Sequence, residues 1–168
     1  MAYGPGRSRL VQGTLVGAVL WLVGYLATAV VLALAFDTGL AVQFGWLSVI
    51  HALVVIWFVV VTVLGPDTFL LAMAAVGVAT SVLFALGGAV TAARTDAVER
   101  PWEAAAAGGT VGVGHVLSTA VAFALARGSS AEQFTAVTWT FALVFGGLVV
   151  PAAFGAVGGV LWHYSRRP

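Results

Sequence analysis

Five stretches of this chain stay apolar for longer than a bilayer is thick: residues 10–36, 40–64, 68–93, 104–126 and 134–162. Crossing hydrocarbon as an α-helix takes about 20 residues, and each stretch exceeds that. Between them lie only short polar runs, too short to fold alone. A soluble domain carries about 25% charged residues. Here 8% are charged, 61% are hydrophobic and the mean hydropathy is +1.08. Such a chain cannot clothe a water-facing surface. Lipid is its solvent, and the expected fold is an all-α polytopic membrane helical bundle, a single integral domain over residues 1–168.

The number of crossings follows from arginine. All seven basic residues are arginine. If all five stretches cross, three arginines fall inside (Arg7, Arg9, Arg127) and four outside (Arg94, Arg100, Arg166, Arg167). If residues 40–64 do not cross, the count becomes six inside and only Arg127 outside. Positive residues resist translocation, so the second arrangement is expected: four spans, with both termini cytoplasmic. Five spans is the alternative. Residues 40–64 then form an outer interfacial or re-entrant helix, anchored by Trp46 and Trp57 and carrying Gln43, Ser48 and His51. Non-spanning backbone is tolerated at depth only under protein cover. Asp67 is placed to cap the next helix. The length of residues 10–36, about twice that of a signal-peptide core, marks them as a span.

Composition also excludes. Without cysteine there are no disulfides, thiolate metal sites or cysteine nucleophiles. A formal charge of +1 gives nucleic acid nothing to recognise. No HExxH occurs, and no serine or aspartate sits with a credible base. No enzyme, cofactor or metal site is expected. All six acids (Asp37, Asp67, Asp96, Glu99, Glu103, Glu132) fall in loops or at helix ends, which disfavours a carboxylate-driven pump.

What remains are small residues and a few polar ones. Gly13, Gly17, Gly24 and Thr28 share a face of the first helix. Gly77, Ser81, Ala85 and Gly88 do so in the second span, Gly114, Ser118, Ala122 and Ala126 in the third, and Gly147, Pro151, Gly155 and Gly159 in the fourth. Such stripes let helix backbones approach closely in lipid. Pro151 interrupts the backbone bonding of its helix and, with Gly147, is the candidate hinge. His115 is the one readily ionisable side chain near the middle of a span. It is expected to face the interior as a neutral imidazole, bonded to a hydroxyl or a backbone carbonyl. Ser118, Thr119, Thr80, Ser81 and Thr14 are the candidate hydroxyls. His115, Ser118, Thr119 and His51 form the candidate polar site, structural or pathway-lining.

Three runs carry a likeness: Gly17-Ala-Val-Leu-Trp-Leu-Val-Gly-Tyr25, Phe84-Ala-Leu-Gly-Gly-Ala-Val-Thr-Ala-Ala-Arg94, and Phe145-Gly-Gly-Leu-Val-Val-Pro-Ala-Ala-Phe-Gly-Ala-Val-Gly-Gly159. They resemble small multi-spanning haloarchaeal membrane proteins of uncharacterised function, some loosely labelled transporters. The resemblance implies an archaeal cell membrane and brings no functional residues with it. Two functions are consistent with the sequence. One is an accessory or structural membrane subunit, packing against itself or a larger complex. The other is a channel or transporter for a small neutral or weakly polar solute, lined by the hydroxyls of Ser118, Thr119, Thr135, Thr138 and Thr140. A conduction path needs more polar lining than this, so the accessory role is expected.

Overall fold

The structure, a computed structural model, describes residues 5–36, 68–95, 99–126 and 136–166. It contains helices α1 (Pro5–Phe36), α2 (Thr68–Ala93), α3 (Pro101–Gly109), α4 (Val111–Ala126), α5 (Ala136–Phe141), a π-helical segment (Ala142–Val149) and α6 (Val150–Ser165), with no strand among the described residues. Four stretches are long and apolar enough to cross a bilayer: Arg9–Val30, Ala75–Ala93, Pro101–Leu125 and Trp139–Ser165. The third span is α3 and α4 together. The fourth is α5, the π segment and α6.

Direction alternates from span to span. Ala104 and Gly108 of α3 and Gly112 of α4 face Gly159, Gly155 and Ala152 of α6 in turn, so the third and fourth spans run antiparallel. Helices α2 and α3 meet at the same end, where Ala92, Ala104 and Ala107 pack with Trp162. Helix α1 runs with the third span: Gly13 faces Thr110, and Gly17 faces the backbone of Val111 and His115. The described helices therefore bring Arg9, Arg94, Arg100 and Arg166 to one end of the bundle, the grouping the four-span reading requires. Residues 40–64 themselves, with His51, lie outside the described residues, as do Asp67, Arg127 and Thr135.

The bundle is built inside out relative to a soluble one. Large aliphatic side chains point outward: Leu15, Val19 and Leu22 from α1, Val82 and Leu86 from α2, Leu117 and Val121 from α4, and Val157 and Leu161 from α6 are all exposed. Glycine, alanine and threonine are inside. Lipid tails are as apolar as leucine, so hiding leucine gains little, whereas small residues let backbones touch. Gly13, Gly17, Gly24, Thr28, Gly77, Gly88, Gly114, Ala122, Gly147, Pro151, Gly155 and Gly159 are buried, while Ser81, Ala85 and Ser118 are half-buried. The contacts are backbone on backbone: a Cβ on Gly88 or Gly108 would land on the Gly155 carbonyl, one on Gly158 on that of Ala85, and one on Gly114 on that of Thr14.

The third span starts at Pro101, ahead of the apolar stretch at 104–126, and its α-helix is interrupted at Thr110. Pro101 occupies the first turn, where its missing N–H costs nothing. The Glu103 carboxylate reaches back to accept the backbone N–H groups of Glu99 (3.0 Å) and Arg100 (3.3 Å), which extends the helix into the loop. At this interruption, Thr110 Oγ1 lies 2.5 Å from the Ala107 carbonyl and 3.3 Å from the Arg9 carbonyl, tying the third span to α1. The last span is not α-helical throughout: it widens to a π-helix over Ala142–Val149, two residues ahead of Pro151.

Candidate functional site

Proline has no N–H, and its ring crowds the carbonyl four residues earlier. For Pro151 that carbonyl belongs to Gly147. The helix upstream widens, and Val150 N–H bonds to Phe145 O five residues back. Across the bundle, His115 Nδ1 lies 3.2 Å from Gly147 O. A carbonyl can only accept, so Nδ1 carries the ring proton and Nε2 is the ring's acceptor. The imidazole thus serves the carbonyl that the proline deprives of its helical donor.

The ring is fully buried. Phe84 of α2, also fully buried, meets it edge-on, with centroids 4.9 Å apart and planes at 89°. Gly17 of α1 packs against the backbone of Val111 and His115. His115 therefore stands where α1, α2, α4 and the π segment converge. The sequence placed it in the interior, bonded to a hydroxyl or a backbone carbonyl, and a backbone carbonyl is the partner found.

The hydroxyls do not join it. Thr119 Oγ1 donates to the His115 carbonyl (2.9 Å), Ser118 Oγ to Gly114 O (3.0 Å), Thr80 Oγ1 to Val76 O (2.7 Å) and Ser81 Oγ to Gly77 O (2.9 Å). Thr28, Thr91 and Thr140 do the same within their own helices, and Thr95 does so just past the end of α2. Each bonds four residues back, the local option open to serine and threonine in any helix. Ser118 and Thr119 are thus close to His115 in sequence but engage only backbone. The candidate hinge pair, Gly147 and Pro151, does belong to the site, as acceptor and as cause. Phe84 was not foreseen; only its place among the apolar residues of its span was visible. The Gly147 carbonyl was readable in principle, lying four residues before the proline.

No group of three or more His, Asp or Glu side chains able to hold a metal occurs among the described residues. Chemically, the arrangement is a buried, packed polar clamp: one neutral donor on one backbone acceptor, enclosed by an aromatic ring and glycine backbone. Set against known protein families, characterised proteins and solved structures, the chain matches none of them.

Proposed function

We propose that this chain is an accessory or structural subunit of a membrane assembly: a rigid four-span body whose interior is devoted to packing and whose apolar outside meets lipid and other membrane helices. The observation that carries this reading is how the polar groups in the spans are used. The hydroxyls of Thr28, Thr80, Ser81, Thr91, Ser118 and Thr119 and Nδ1 of His115 are all committed to backbone carbonyls. The helices around them touch through glycine. A solute path needs room and hydrogen-bonding groups turned toward it; here those groups are turned into the helices themselves. The same reading puts the chain in an archaeal cell membrane, with the arginine-bearing end in the cytoplasm.

The test is reconstitution. Proteoliposomes should pass glycerol, urea and ammonia no faster than protein-free vesicles. Extraction in mild detergent should yield a complex of fixed stoichiometry, either a homo-oligomer or a larger assembly. Solute flux above the lipid background, lost on changing His115, would replace the accessory reading with the transport one.

Orientation has its own check. The chain has no cysteine, so single cysteines at Glu99 and Ser165, both exposed, report without background. In intact cells, neither should react with an impermeant maleimide, and both should react after permeabilisation. Labelling of both from outside would invert the topology. Labelling of only one would contradict the shared end.

A further inference from the structure

The π segment is unusually long. π-Helices occur mostly as single-turn bulges inside α-helices, frequently at functional sites, whereas this one runs for eight residues. The hydrogen-bond ladder on its far side is α-helical again in α5. The extra residue held in the widened turn is therefore a register choice, and an all-α register of the same residues is its competitor.

We propose that the last span has two helical registers and that the His115 Nδ1–H···Gly147 O bond is the latch that selects the π register. Three observations support this. First, the latch grips the carbonyl that Pro151 cannot serve, directly beside Gly146, whose carbonyl Val150 N–H would take in the α register and passes over here for Phe145 O. Second, there is slack where movement is needed. Glycines beyond Pro151 are locked: a Cβ on Gly155, Gly158 or Gly159 would strike the carbonyls of Gly108, Ala85 or Ala104. A Cβ on Gly147 would meet nothing closer than Val116 Cγ2 at 3.4 Å and Thr119 at 3.6 Å. Third, an open apolar notch lined by Ala136, Thr140, Phe141, Val144 and Phe145 flanks the segment, giving it volume to turn into.

Losing one residue from the widened turn rotates everything upstream by about 100° and draws it along the axis by about 1.5 Å. Helix α6, fixed by its glycines, stays in place. The half that turns is α5 with the start of the π segment. Trp139 leaves Phe123, which it now meets edge-on with centroids 4.3 Å apart. The exposed pair Phe141 and Phe145, rings tilted at 32° with centroids 4.7 Å apart, swings to a new bearing. The device thus gives the end of the bundle opposite the arginines two apolar faces, between which a neighbouring helix or the lipid can select. This holds whether or not the chain is an accessory subunit.

The reporter is Trp139. In protein grown with 5-fluorotryptophan and held in lipid nanodiscs, its ¹⁹F line is assigned by Trp139→Phe. Wild type should give one dominant position. His115→Leu removes the latch and should shift the balance about tenfold toward a second position, the effect of one hydrogen bond. His115→Asn places an amide nitrogen at the same side-chain position as Nδ1 and should restore the wild-type line; His115→Gln, which places it one atom further, should not. Pro151→Ala returns an N–H to Gly147 O and should give the second position alone, whatever stands at 115. An unmoved Trp139 line in both His115→Leu and Pro151→Ala would overturn the two-register proposal. Asparagine behaving as leucine would overturn the latch. Should His115→Leu fail to fold, Pro151→Ala alone decides.

Discussion

A valine at position 155 will break the bundle, at a cost of about 3 kcal/mol or more. Gly155 is buried between α2 and α3. Its own missing Cβ points at the Gly108 carbonyl, and the missing Cβ atoms of Gly88 and Gly108 point back at its carbonyl. Three helices thus meet at one place with no side chain between them. Overpacking costs about 1–3 kcal/mol where side chains can move aside, but a carbonyl inside a helix cannot move alone. Alanine at 155 should cost about 2 kcal/mol, since its better helix propensity returns up to about 1 kcal/mol. Gly87→Ala is milder, because the nearest obstacle is the tip of the Leu20 side chain. Gly109 is the control: a Cβ there finds nothing nearer than the Ala152 carbonyl at 3.6 Å, so Gly109→Ala should gain about 0.5–1 kcal/mol. Unfolding in mixed micelles of rising SDS content, followed by tryptophan fluorescence, measures all four. Equal stabilities for Gly155→Val and Gly109→Ala would sink this account of the packing.

His115→Ala comes next, at about 2–3 kcal/mol. In a soluble core, truncating a buried ring loses transfer energy and leaves a cavity. Here lipid is as apolar as the interior, so the transfer part largely vanishes. What remains is the void beside Phe84 and the lost bond to Gly147 O, about 1 kcal/mol. The proline makes this separable. Pro151→Ala gives Gly147 O a donor from its own helix, so the His115→Ala penalty should shrink by about 1 kcal/mol in that background. Such coupling is what a double-mutant cycle measures. Additive effects would mean that His115 does not serve the carbonyl the proline leaves behind. Flux through the reconstituted protein should be the same in all four members of the cycle.

Much of this architecture is legible in the sequence, for reasons specific to lipid. Charge is so costly in hydrocarbon that the placement of a few arginines suffices to order the helices, and Arg9, Arg94, Arg100 and Arg166 do share one end. Gly88, Gly114, Gly155 and Gly159 were placed inside by spacing alone, because only small residues admit a neighbouring backbone. The polar site was harder. Ser118 and Thr119 looked like partners for His115 because proximity in sequence says nothing about where a hydroxyl points. Yet Gly24–Thr28, Gly77–Ser81, Gly87–Thr91 and Gly114–Ser118 all share one spacing, a hydroxyl four residues after a glycine carbonyl, and in each the hydroxyl donates to it. The π-helix was not legible. Its cause, Pro151, was in view, but whether a helix answers a proline by bending or by widening depends on what faces it, and His115, which faces Gly147, lies on another span.

The contact between α2 and α6 has a thermodynamic character of its own. Side chains that dock normally surrender rotamers, up to about 2 kcal/mol each for the long ones. Gly88, Gly155, Gly158 and Ala85 have none to surrender. Once the helices are inserted, these surfaces can meet with almost no loss of side-chain freedom, so the attraction between backbones need only be slight to hold them. The same surfaces have no means of adjusting: with no flexible atoms to rearrange, a slide of one residue would set Val157 or Leu86 where a glycine belongs. Docking here is smooth in one register and obstructed in its neighbours, so the choice of register rests on shape alone.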